Sequence, residues 1–435
     1  MIYHFIGIKG TGMGALAQFM HDLGYHVQGS DKPDHFFTED PLREKGITIL
    51  NFDADNIKEG MTIVQGNAFT DDNVEVKRAK ELHLTIYTYQ EMLGSFTEKF
   101  KSITVAGCHG KTTTSSMLAH VLDHTIGTNY LIGDGTGHSD KKNDHFILEA
   151  CEWKRHFLAY TPTYAIITNI ELDHIDYYKN IDDMVLAYEE YANKALKMVI
   201  ACGDDPYTDK INYTKPVLFY GLEDKNDVVA KNVVFHNDGT DFDVYIHDEL
   251  FGHFNLPLFG KHMLMNSLAV ITVCYLEKIN KDDITKYIHT FKGAKRRFKE
   301  KVLGDIIEID DYAHHPTEVA VTIKGARQKY PDKELVAILM IHTYSRAREF
   351  EQEFIDALNL ADKAYITDVY MDRKEDCDPY DVHDMIKKCK NAEHISLETT
   401  EKLLKHKNAV MLFMSSKEIY VMEEKYENLL KEQKN

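Results

Sequence analysis

Two short glycine-rich segments constrain the fold of this chain more than any other feature of its sequence. The first lies within residues 7–15, after a predicted strand at 3–8 and before a predicted helix at 13–23. The second follows a predicted strand at 102–106 and precedes a helix that begins at Lys111. A strand that turns through glycines into a helix is the basic unit of parallel α/β folds. The pattern therefore predicts an α/β protein with mainly parallel sheets.

The chain divides into three blocks of this kind. Its 435 residues are enough for roughly two to four domains. The alternation of apolar runs with polar helical stretches predicts a first domain at 1–100, a central domain at 101–290 and a third domain at 291–435. Further strands are predicted at 25–29 in the first domain, at 146–149 and 164–168 in the central one, and at 306–309, 335–339, 364–367 and 410–414 in the third.

The charge balance restricts the partners of the protein. The chain has 51 Lys and Arg residues against 70 Asp and Glu residues, a formal net charge of -19. An acidic surface repels nucleic acid phosphates and anionic lipid. We therefore expect neither nucleic acid nor a membrane as a partner, and any phosphate-bearing ligand needs a local binding site.

The cysteines and the N-terminal residues indicate a cellular location. The N-terminus shows no secretory signal pattern, and no apolar run approaches the roughly 18 residues of a membrane helix. No Cys-x-x-Cys pair occurs among the six cysteines, which lie at positions 108, 151, 202, 274, 377 and 389. This usage is typical of reduced thiols. The sequence predicts a cytoplasmic protein.

The first glycine segment is a candidate diphosphate site. It contains Gly10, Gly12 and Ala15 in the loose pattern Gly-x-Gly-x-x-Gly/Ala. Such glycines let backbone amides approach a diphosphate at the N-terminus of a helix. The candidate ligand-binding residues are Gly10, Thr11, Gly12, Met13 and Asp31, the last for ribose hydroxyls. The motif does not separate NAD from a UDP-sugar, and it also fits a tight turn without a ligand.

The second glycine segment has a more specific pattern. It reads Val105-Ala106-Gly107-Cys108-His109-Gly110-Lys111-Thr112-Thr113-Thr114, and Val105 takes the place of the first glycine of the strict phosphate-loop motif. The turn amides can surround phosphate oxygens and Lys111 can neutralise the terminal phosphates. A hydroxyl of Thr112 or Thr113 can ligate Mg²⁺, which prefers hard oxygen donors. The segment predicts a compact variant of the nucleotide-binding loop.

Two further residues are candidates for the same nucleotide site. Glu149 ends one predicted strand, and His174 follows the next in Glu171-Leu172-Asp173-His174. Ligands of open α/β sheets bind at the carboxyl ends of strands. Each residue alone is more typical of a helix cap or a loop contact. Their shared edge with the phosphate loop favours a role at the metal and phosphates.

A series of motifs along the chain resembles those of a known family. In chain order they are Gly-x-x-Gly-x-Gly-Met, Gly-x-His-Gly-Lys-Thr-Thr, Glu-Ala-x-Glu, Thr-Asn-Ile-x-x-Asp-His, Gly-x-His-x-x-x-Asn, Arg-Arg-Phe and Asp-Asp-Tyr-Ala-His-His-Pro. This order is similar to that of the Mur ligases of peptidoglycan synthesis, and the matches extend from residue 7 to residue 346. Two of the stretches favour the branch of the family that adds alanine: Asp-Asp-Tyr-Ala-His-His-Pro at 310–316 and His-Thr-Tyr-Ser-Arg at 342–346.

The resemblance implies a fold and a reaction. The expected fold has a Rossmann-like first domain that binds a UDP-sugar, a central domain like P-loop ATPases and a Rossmann-like third domain. The expected reaction phosphorylates the lactyl carboxylate of UDP-N-acetylmuramate with ATP and joins the resulting acyl phosphate to L-alanine. The resemblance also implies Mg²⁺ held by Thr112, Glu149 and His174, and it makes Lys111, Glu149 and His174 catalytic residues.

The resemblance assigns further residues by their position in the motifs. Arg297 matches an arginine that reaches the ATP phosphates and also counts as catalytic. Asp311 matches an acid at the ATP ribose, and Asn266 an asparagine near adenine. For the amino acid substrate the matching candidates are Arg346, which could bind its carboxylate, with Tyr312 and His314 in the same pocket.

Other functions stay open on sequence alone. Within the family, a recycling ligase that attaches a murein tripeptide to UDP-N-acetylmuramate is the nearest alternative. From another class, an NAD-dependent oxidoreductase would explain Gly10, Gly12, Ala15 and Asp31, but it leaves the second phosphate loop without a purpose. A non-catalytic nucleotide switch or partner-binding protein would explain Lys111 and the threonines after it, but not the His-His-Pro and His-Thr-Tyr-Ser-Arg segments. The oligomeric state is not indicated.

Overall fold

The computed structural model describes residues 1–36, 38–175, 177–371 and 378–433, and these residues form three β-sheets with flanking helices. The predicted α/β class with mainly parallel sheets is confirmed. The chain forms two compact units, the first comprising 1–231, 243–253 and 265–290, and the second 232–242, 254–264 and 291–435. Cys377 lies outside the described residues.

The first sheet is entirely parallel. Its strand order is β3-β2-β1-β4-β5, so β1 is central and the chain changes direction beside it. The elements are β1 (Ile2–Ile6), α1 (Thr11–Asp22), β2 (His26–Asp31), α2 (Glu39–Glu44), β3 (Thr48–Asn51), β4 (Thr62–Gln65), α3 (Val74–Glu81), β5 (Thr85–Thr88) and α4 (Tyr89–Thr97), with a 3₁₀ turn at Ala54–Asn56. Open α/β sheets bind ligands where the strand order reverses, which here is the carboxyl end of β1.

The second sheet carries the phosphate loop after its strand β6. The elements are β6 (Lys101–Ala106), α5 (Lys111–Asp123), β7 (Asn129–Leu131), β8 (Gly137–His138), β9 (His145–Glu149), β10 (Tyr164–Ile167), α6 (Ile181–Ala192), β11 (Met198–Cys202), β12 (Val217–Gly221), β13 (Val228–His236), β14 (Gly239–Ile246), β15 (Glu249–Leu256), α7 (Lys261–Leu276) and α8 (Lys281–Thr290), with 3₁₀ segments at Trp153–Ala159 and Thr208–Lys210. The strand order is β15-β14-β13-β12-β11-β10-β6-β9-β7-β8. Strand β6 pairs in parallel with β10 and β9, so residues that follow these three strands share one edge.

The third sheet is parallel except for its first strand. Its order is β16-β17-β21-β18-β19-β20, with β16 antiparallel to β17. The elements are β16 (Lys299–Leu303), β17 (Ile306–Asp311), α9 (Pro316–Lys329), β18 (Glu334–Leu339), α10 (Tyr344–Glu349), α11 (Glu351–Leu358), β19 (Lys363–Ile366), α12 (Val382–Lys388), β20 (Ala392–His394), β21 (Ala409–Met414) and α13 (Tyr420–Glu432), with a 3₁₀ segment at Leu397–Lys405. Buried side chains pack against both faces of this sheet.

The structure differs from the sequence-based expectation in the end of the first strand and in the number of strands. The first strand ends at Ile6, two residues early, because Gly7 takes a left-handed φ of 85° that begins the turn. The three consecutive strands β13, β14 and β15 were not predicted. Their half-buried alternation of polar and apolar residues is typical of strands with one solvated face. In the described part of the chain, no helix has the length and apolarity that crossing a membrane requires.

The amino ends of the central strands are tied together by Glu277. Its carboxylate accepts hydrogen bonds from Lys101, from His145 Nε2 at 2.9 Å and from Tyr164 OH at 2.7 Å. Burial alone would raise the pKa of this carboxyl, but the three donors outweigh burial and lower the pKa to about 2. Glu277 therefore stabilises the fold through its charged form.

We expect the stabilisation that Glu277 contributes to the fold to be lost in acid. Because the folded-state pKa lies below the ordinary value, the contribution is complete near neutral pH and is lost as pH falls from about 5 to 2, with a size of about 3 kcal/mol. Urea unfolding of wild type and Glu277→Gln across this range tests it. The variant should lose most of this acid dependence, whereas exposed Asp282→Asn should keep it. Equal pH slopes in Glu277→Gln and wild type would contradict the assignment.

Candidate active site

The first glycine turn presents the start of helix α1. Gly10 precedes α1 as its N-cap, and Thr11 and Gly12 form the first turn beside the carboxyl end of β1. Their backbone amides therefore lie at the positive end of a 12-residue helix. The Met13 side chain is buried in the hydrophobic core, so any ligand contact of Met13 would come from its main chain.

Asp31 and Lys9 brace this turn from within. The Asp31 carboxylate accepts the amides of Lys9 and Lys32, both at 2.8 Å. Lys9 Nζ forms a buried ion pair with Glu39 at 2.7 Å and donates to the Lys32 carbonyl at 2.9 Å. These contacts fix the loop after β2 to the glycine turn. Both carboxylate oxygens of Asp31 already accept backbone amides. Its contact with ribose hydroxyls stays a prediction.

The second glycine turn is held from the end of β10. Thr168 Oγ1 donates to the His109 carbonyl at 2.6 Å, and Asn169 accepts the His109 amide at 2.9 Å. Gly107 has a φ of 140°, and a Cβ there would lie 1.9 Å from Thr168 Oγ1. The Cys108 thiol donates to the Glu171 carbonyl at 2.9 Å. The turn is therefore fixed by contacts with residues 168, 169 and 171.

Lys111 follows this turn and is paired with a buried acid. Its Nζ contacts Glu152 Oε1 and Oε2 at 3.0 and 2.9 Å and also donates to the Gly107 carbonyl. Burial alone would lower the pKa of Lys111, but Glu152 outweighs it and holds this pKa above its usual range. His174 Nε2 lies 3.4 Å from Glu152 Oε1. Glu152 thus joins the two predicted catalytic residues, Lys111 and His174.

Glu149 lies beside the start of helix α5. Its Oε1 accepts the Gly133 amide at 2.6 Å and lies 3.4 Å from Ser115 Oγ. Thr112 and Thr113 form the first turn of α5, where Thr112 is half-buried and Thr113 is buried. The carboxylate and hydroxyl oxygens suit Mg²⁺, which prefers hard donors, whereas the imidazole of His174 is a softer donor.

Asn266 contacts the phosphate loop. This buried residue of α7 lies against Gly110, where a Cβ would approach Asn266 Oδ1 to 2.6 Å. Gly110 has a φ of 84° and is the N-cap of α5. The family resemblance placed Asn266 near adenine. Its observed contact is with the loop that is predicted to bind the phosphates.

One pocket connects the first glycine turn with Glu149. It has a volume of about 120 Å³, and its lining includes Thr11 and Gly12 from that turn, Tyr89 at the start of α4, and Gly133 and Glu149 from the central sheet. The Tyr89 ring packs on Gly12, where a Cβ would lie 2.9 Å from the phenol oxygen. Burial and the Glu149 charge raise the pKa of Tyr89. A ligand in this pocket would contact both the first turn and the predicted metal site.

In the second unit, four of the predicted residues lie together. Arg297 Nη1 is 3.3 Å from Glu318 Oε1, and its guanidinium lies 5.0 Å from the centre of the Tyr312 ring. His314 Nδ1 is 2.9 Å from Glu318 Oε2. The Asp311 carboxylate accepts the amides of Ala313 and Phe298, at 2.8 and 2.7 Å, and burial raises its pKa to about 6. Glu318 is thus the common partner of Arg297 and His314.

Arg346 lies in a separate helix of the same unit. It belongs to α10, which begins after Thr343 and carries basic residues in its last turn. Thr343 has a φ of 76°, a left-handed conformation that a β-branched residue rarely adopts. Strained residues of this kind are concentrated at functional sites. The strained turn is consistent with a binding role for this segment, and the role of Arg346 itself stays a prediction.

Comparison with protein families covers nearly the whole chain. A model of the "Mur ligase family, catalytic domain" matches residues 2–101, one of the "Mur ligase middle domain" matches 105–274, and one of the "Mur ligase, glutamate ligase domain" matches 296–416. The chain belongs to the Mur ligase family. Mur ligases are ATP-dependent ligases of peptidoglycan synthesis, so the resemblance read from the motifs is confirmed.

Solved Mur ligases share this fold over most of their length. A UDP-N-acetylmuramate-alanine ligase from Thermotoga maritima is 25% identical, with 100% of both chains covered and a TM-score of 0.81. A murein peptide ligase from Psychrobacter arcticus is 23% identical, over 99% of this chain and 98% of that chain, with a TM-score of 0.69. A MurF ligase from Thermotoga maritima, solved with ADP, is 19% identical, over 88% of this chain and 97% of that chain, with a TM-score of 0.67.

Two residues of this Mur ligase site were not assigned from sequence. Glu152 was noted only as part of the Glu-Ala-x-Glu motif, although its i+3 spacing from Glu149 is a visible signal. Tyr89 carries no local signal, since it is 77 residues from the Gly12 that it contacts. Only the fold brings Tyr89 to the glycine turn.

Proposed function

We propose that this Mur ligase joins L-alanine to UDP-N-acetylmuramate at the expense of ATP. The lactyl carboxylate attacks the γ-phosphorus and ADP leaves, which gives an acyl phosphate. The α-amine of alanine then attacks the acyl carbon, and the tetrahedral intermediate releases phosphate and forms the amide. The motifs at 310–316 and 342–346 and the likeness to an alanine ligase over both whole chains support this choice.

The observation that carries the proposal is the pocket between Gly12 and Glu149. A UDP-sugar acid must reach from a diphosphate site to a phosphoryl donor, and this pocket is lined by residues of both regions. Thr11 and Gly12 supply amides at a helix N-terminus for the diphosphate. Glu149 lines the same pocket and lies beside the helix that begins at Lys111.

The chain's own residues then account for the chemistry. Phosphoryl transfer requires mainly positioning and neutralisation of charge. The turn at 107–110 orients the phosphates through its amides, and Lys111 neutralises them. Thr112 and Glu149 would hold Mg²⁺, with His174 as the third predicted ligand, and the ion would supply positive charge that offsets the repulsion between carboxylate and phosphate. In the second unit, Arg297 and Asp311 are assigned to ATP, and Tyr312, His314 and Arg346 to the amino acid.

The test is a phosphate-release assay with ATP, Mg²⁺ and UDP-N-acetylmuramate. L-Alanine should stimulate turnover more than glycine, L-serine or a murein tripeptide. Stimulation by the tripeptide alone would favour the recycling ligase. If no amino acid or peptide stimulates phosphate release, the proposed function is wrong.

Tyr89 should contribute to sugar binding without affecting the nucleotide. Tyr89→Phe keeps the ring against Gly12 but removes the hydroxyl from the pocket. Loss of one substrate hydrogen bond predicts a KM for UDP-N-acetylmuramate about tenfold higher, with the KM for ATP unchanged. Steady-state kinetics with each substrate varied in turn measure both values. Tyr87→Phe, two residues earlier in β5, is the matched control, and an equal rise in the KM for ATP in Tyr89→Phe would contradict a sugar-specific role.

A further inference from the structure

The carboxylate of Glu152 places a negative charge where a nucleotide phosphate is expected to bind. Its side chain is 2% exposed, and both of its oxygens lie within 3.0 Å of Lys111 Nζ. The main chain is equally fixed, because the Glu152 carbonyl accepts hydrogen bonds from Tyr178 OH at 2.5 Å and from Arg155 N at 2.8 Å. This carboxylate is therefore a fixed feature of the loop environment.

A buried carboxylate persists only when it is paired. Removal of a carboxylate from water is costly unless cations and donors compensate. Burial would raise the pKa of Glu152, but Lys111 and then His174 outweigh it and lower this pKa. The charge of Glu152 therefore depends on the same cation that the phosphates of ATP require.

Lys111 does not need Glu152 to stay in the loop. Its ammonium also donates to the Gly107 carbonyl and lies 3.4 Å from the Cys108 carbonyl. These carbonyls belong to the turn itself, so they hold Lys111 close to wherever the turn places a phosphate. The Glu152 carboxylate is thus an additional, competing partner for the cation.

We propose that Glu152 is a positioning residue that acts as a resident counter-anion of the phosphate loop: it neutralises Lys111 in the absence of nucleotide and is displaced from Lys111 when the phosphates of ATP bind. The inference rests on the assignment of ATP to this loop. The displaced carboxylate keeps its second contact, with His174 Nε2 at 3.4 Å. Glu152 therefore weakens nucleotide binding and supports turnover, two opposite effects of one side chain.

Nucleotide binding to the unliganded protein tests the first effect. Calorimetric titration with ADP in EDTA removes the metal and needs no second substrate. Glu152→Gln should bind ADP about tenfold more tightly than wild type, because the cation no longer has to leave a buried anion. Glu171→Gln is the matched control, since its carboxylate also lies beside the loop but accepts from His109 Nε2 at 2.9 Å. We expect less than a threefold change in this control.

Steady-state kinetics test the second effect. Glu152→Gln should lower kcat by about tenfold, the usual size for loss of a group that orients a catalytic imidazole, while the KM for ATP falls. A purely structural role would instead weaken binding and turnover together. If the glutamine variant does not fold, Glu152→Asp keeps the charge one methylene farther from Lys111 and should bind ADP about threefold more tightly.

The outcomes separate this inference from the proposed function. Unchanged or weaker ADP binding in a folded Glu152→Gln or Glu152→Asp variant would overturn the counter-anion role. Failure of wild type to bind any adenine nucleotide would overturn the nucleotide assignment itself. Normal ADP binding without alanine-stimulated turnover would count against the proposed reaction and leave the counter-anion role intact.

Discussion

Lys111→Met is expected to lower kcat by about 10³-fold, the scale seen when a cation that stabilises a phosphoryl-transfer transition state is removed. The substitution should also destabilise the fold. Glu152, 2% exposed, would lose the ammonium that both of its oxygens contact. Loss of one partner of a buried ion pair costs about 3–5 kcal/mol. Phosphate-release kinetics and urea unfolding measure the two effects separately.

The double variant Lys111→Met/Glu152→Gln distinguishes loss of chemistry from loss of folding. It removes both charges of the pair, so most of the lost unfolding free energy should return while kcat stays low. A double variant that regains activity would show that Lys111→Met was inactive only because it was unfolded. More than a tenth of wild-type kcat in Lys111→Met itself would remove Lys111 from the mechanism.

The parts of the site that depend on local sequence were predictable. The strand, glycine turn and helix around 101–123 follow from neighbouring residues, and the predicted helix start at Lys111 is the observed one. Glu149 and His174 could be placed at one sheet edge because carboxyl ends of parallel strands meet there. The structure agrees, since β9 and β10 flank β6.

The contacts that depend on distant residues could not be predicted. Glu152 reaches Lys111 across 41 residues, and which acid pairs with the loop lysine is decided by the fold. The same limit applies to Asp31 and Asp311. Asp31 was assigned to a ribose because it ends a strand, and Asp311 because the family resemblance implied it, yet in each both carboxylate oxygens accept backbone amides. Sequence gives the position of an acid at a strand end, but not whether its oxygens are already occupied.

The net charge of -19 does not determine which anions the active site can bind. An acidic surface argued against polyanionic partners, whereas the proposed substrates are themselves anions. The sources of positive potential are local: two helix N-termini, at Gly10 and Gly110, and Lys111. Even Lys111 is paired with Glu152, at 2.9 Å. Nucleotide binding is therefore governed by a few charges at the loop and not by the overall charge.

Gly110→Ala is expected to weaken nucleotide binding by about 100-fold or more. Gly110 has a φ of 84°, and its new Cβ would lie 2.6 Å from Asn266 Oδ1, which is buried. Either the turn or α7 must move, and the turn amides would leave the positions that bind phosphate. Calorimetric titration with Mg·ADP measures the loss. Gly60→Ala is the matched control, since Gly60 has a φ of 81° and the Cβ that alanine adds there would meet no atom within 4 Å.

The two glycine variants separate backbone strain from steric contact. A left-handed φ at alanine costs about 1–2 kcal/mol wherever it occurs, so Gly60→Ala should lose about this much unfolding free energy, and Gly110→Ala this much plus the cost of the contact with Asn266. Only Gly110→Ala should lose nucleotide affinity. Adding Asn266→Ala to Gly110→Ala removes the clash, so affinity should rise toward that of Asn266→Ala alone, a coupling that a double-mutant cycle measures. Additive losses in this cycle would mean that φ strain, and not contact with Asn266, requires glycine at position 110.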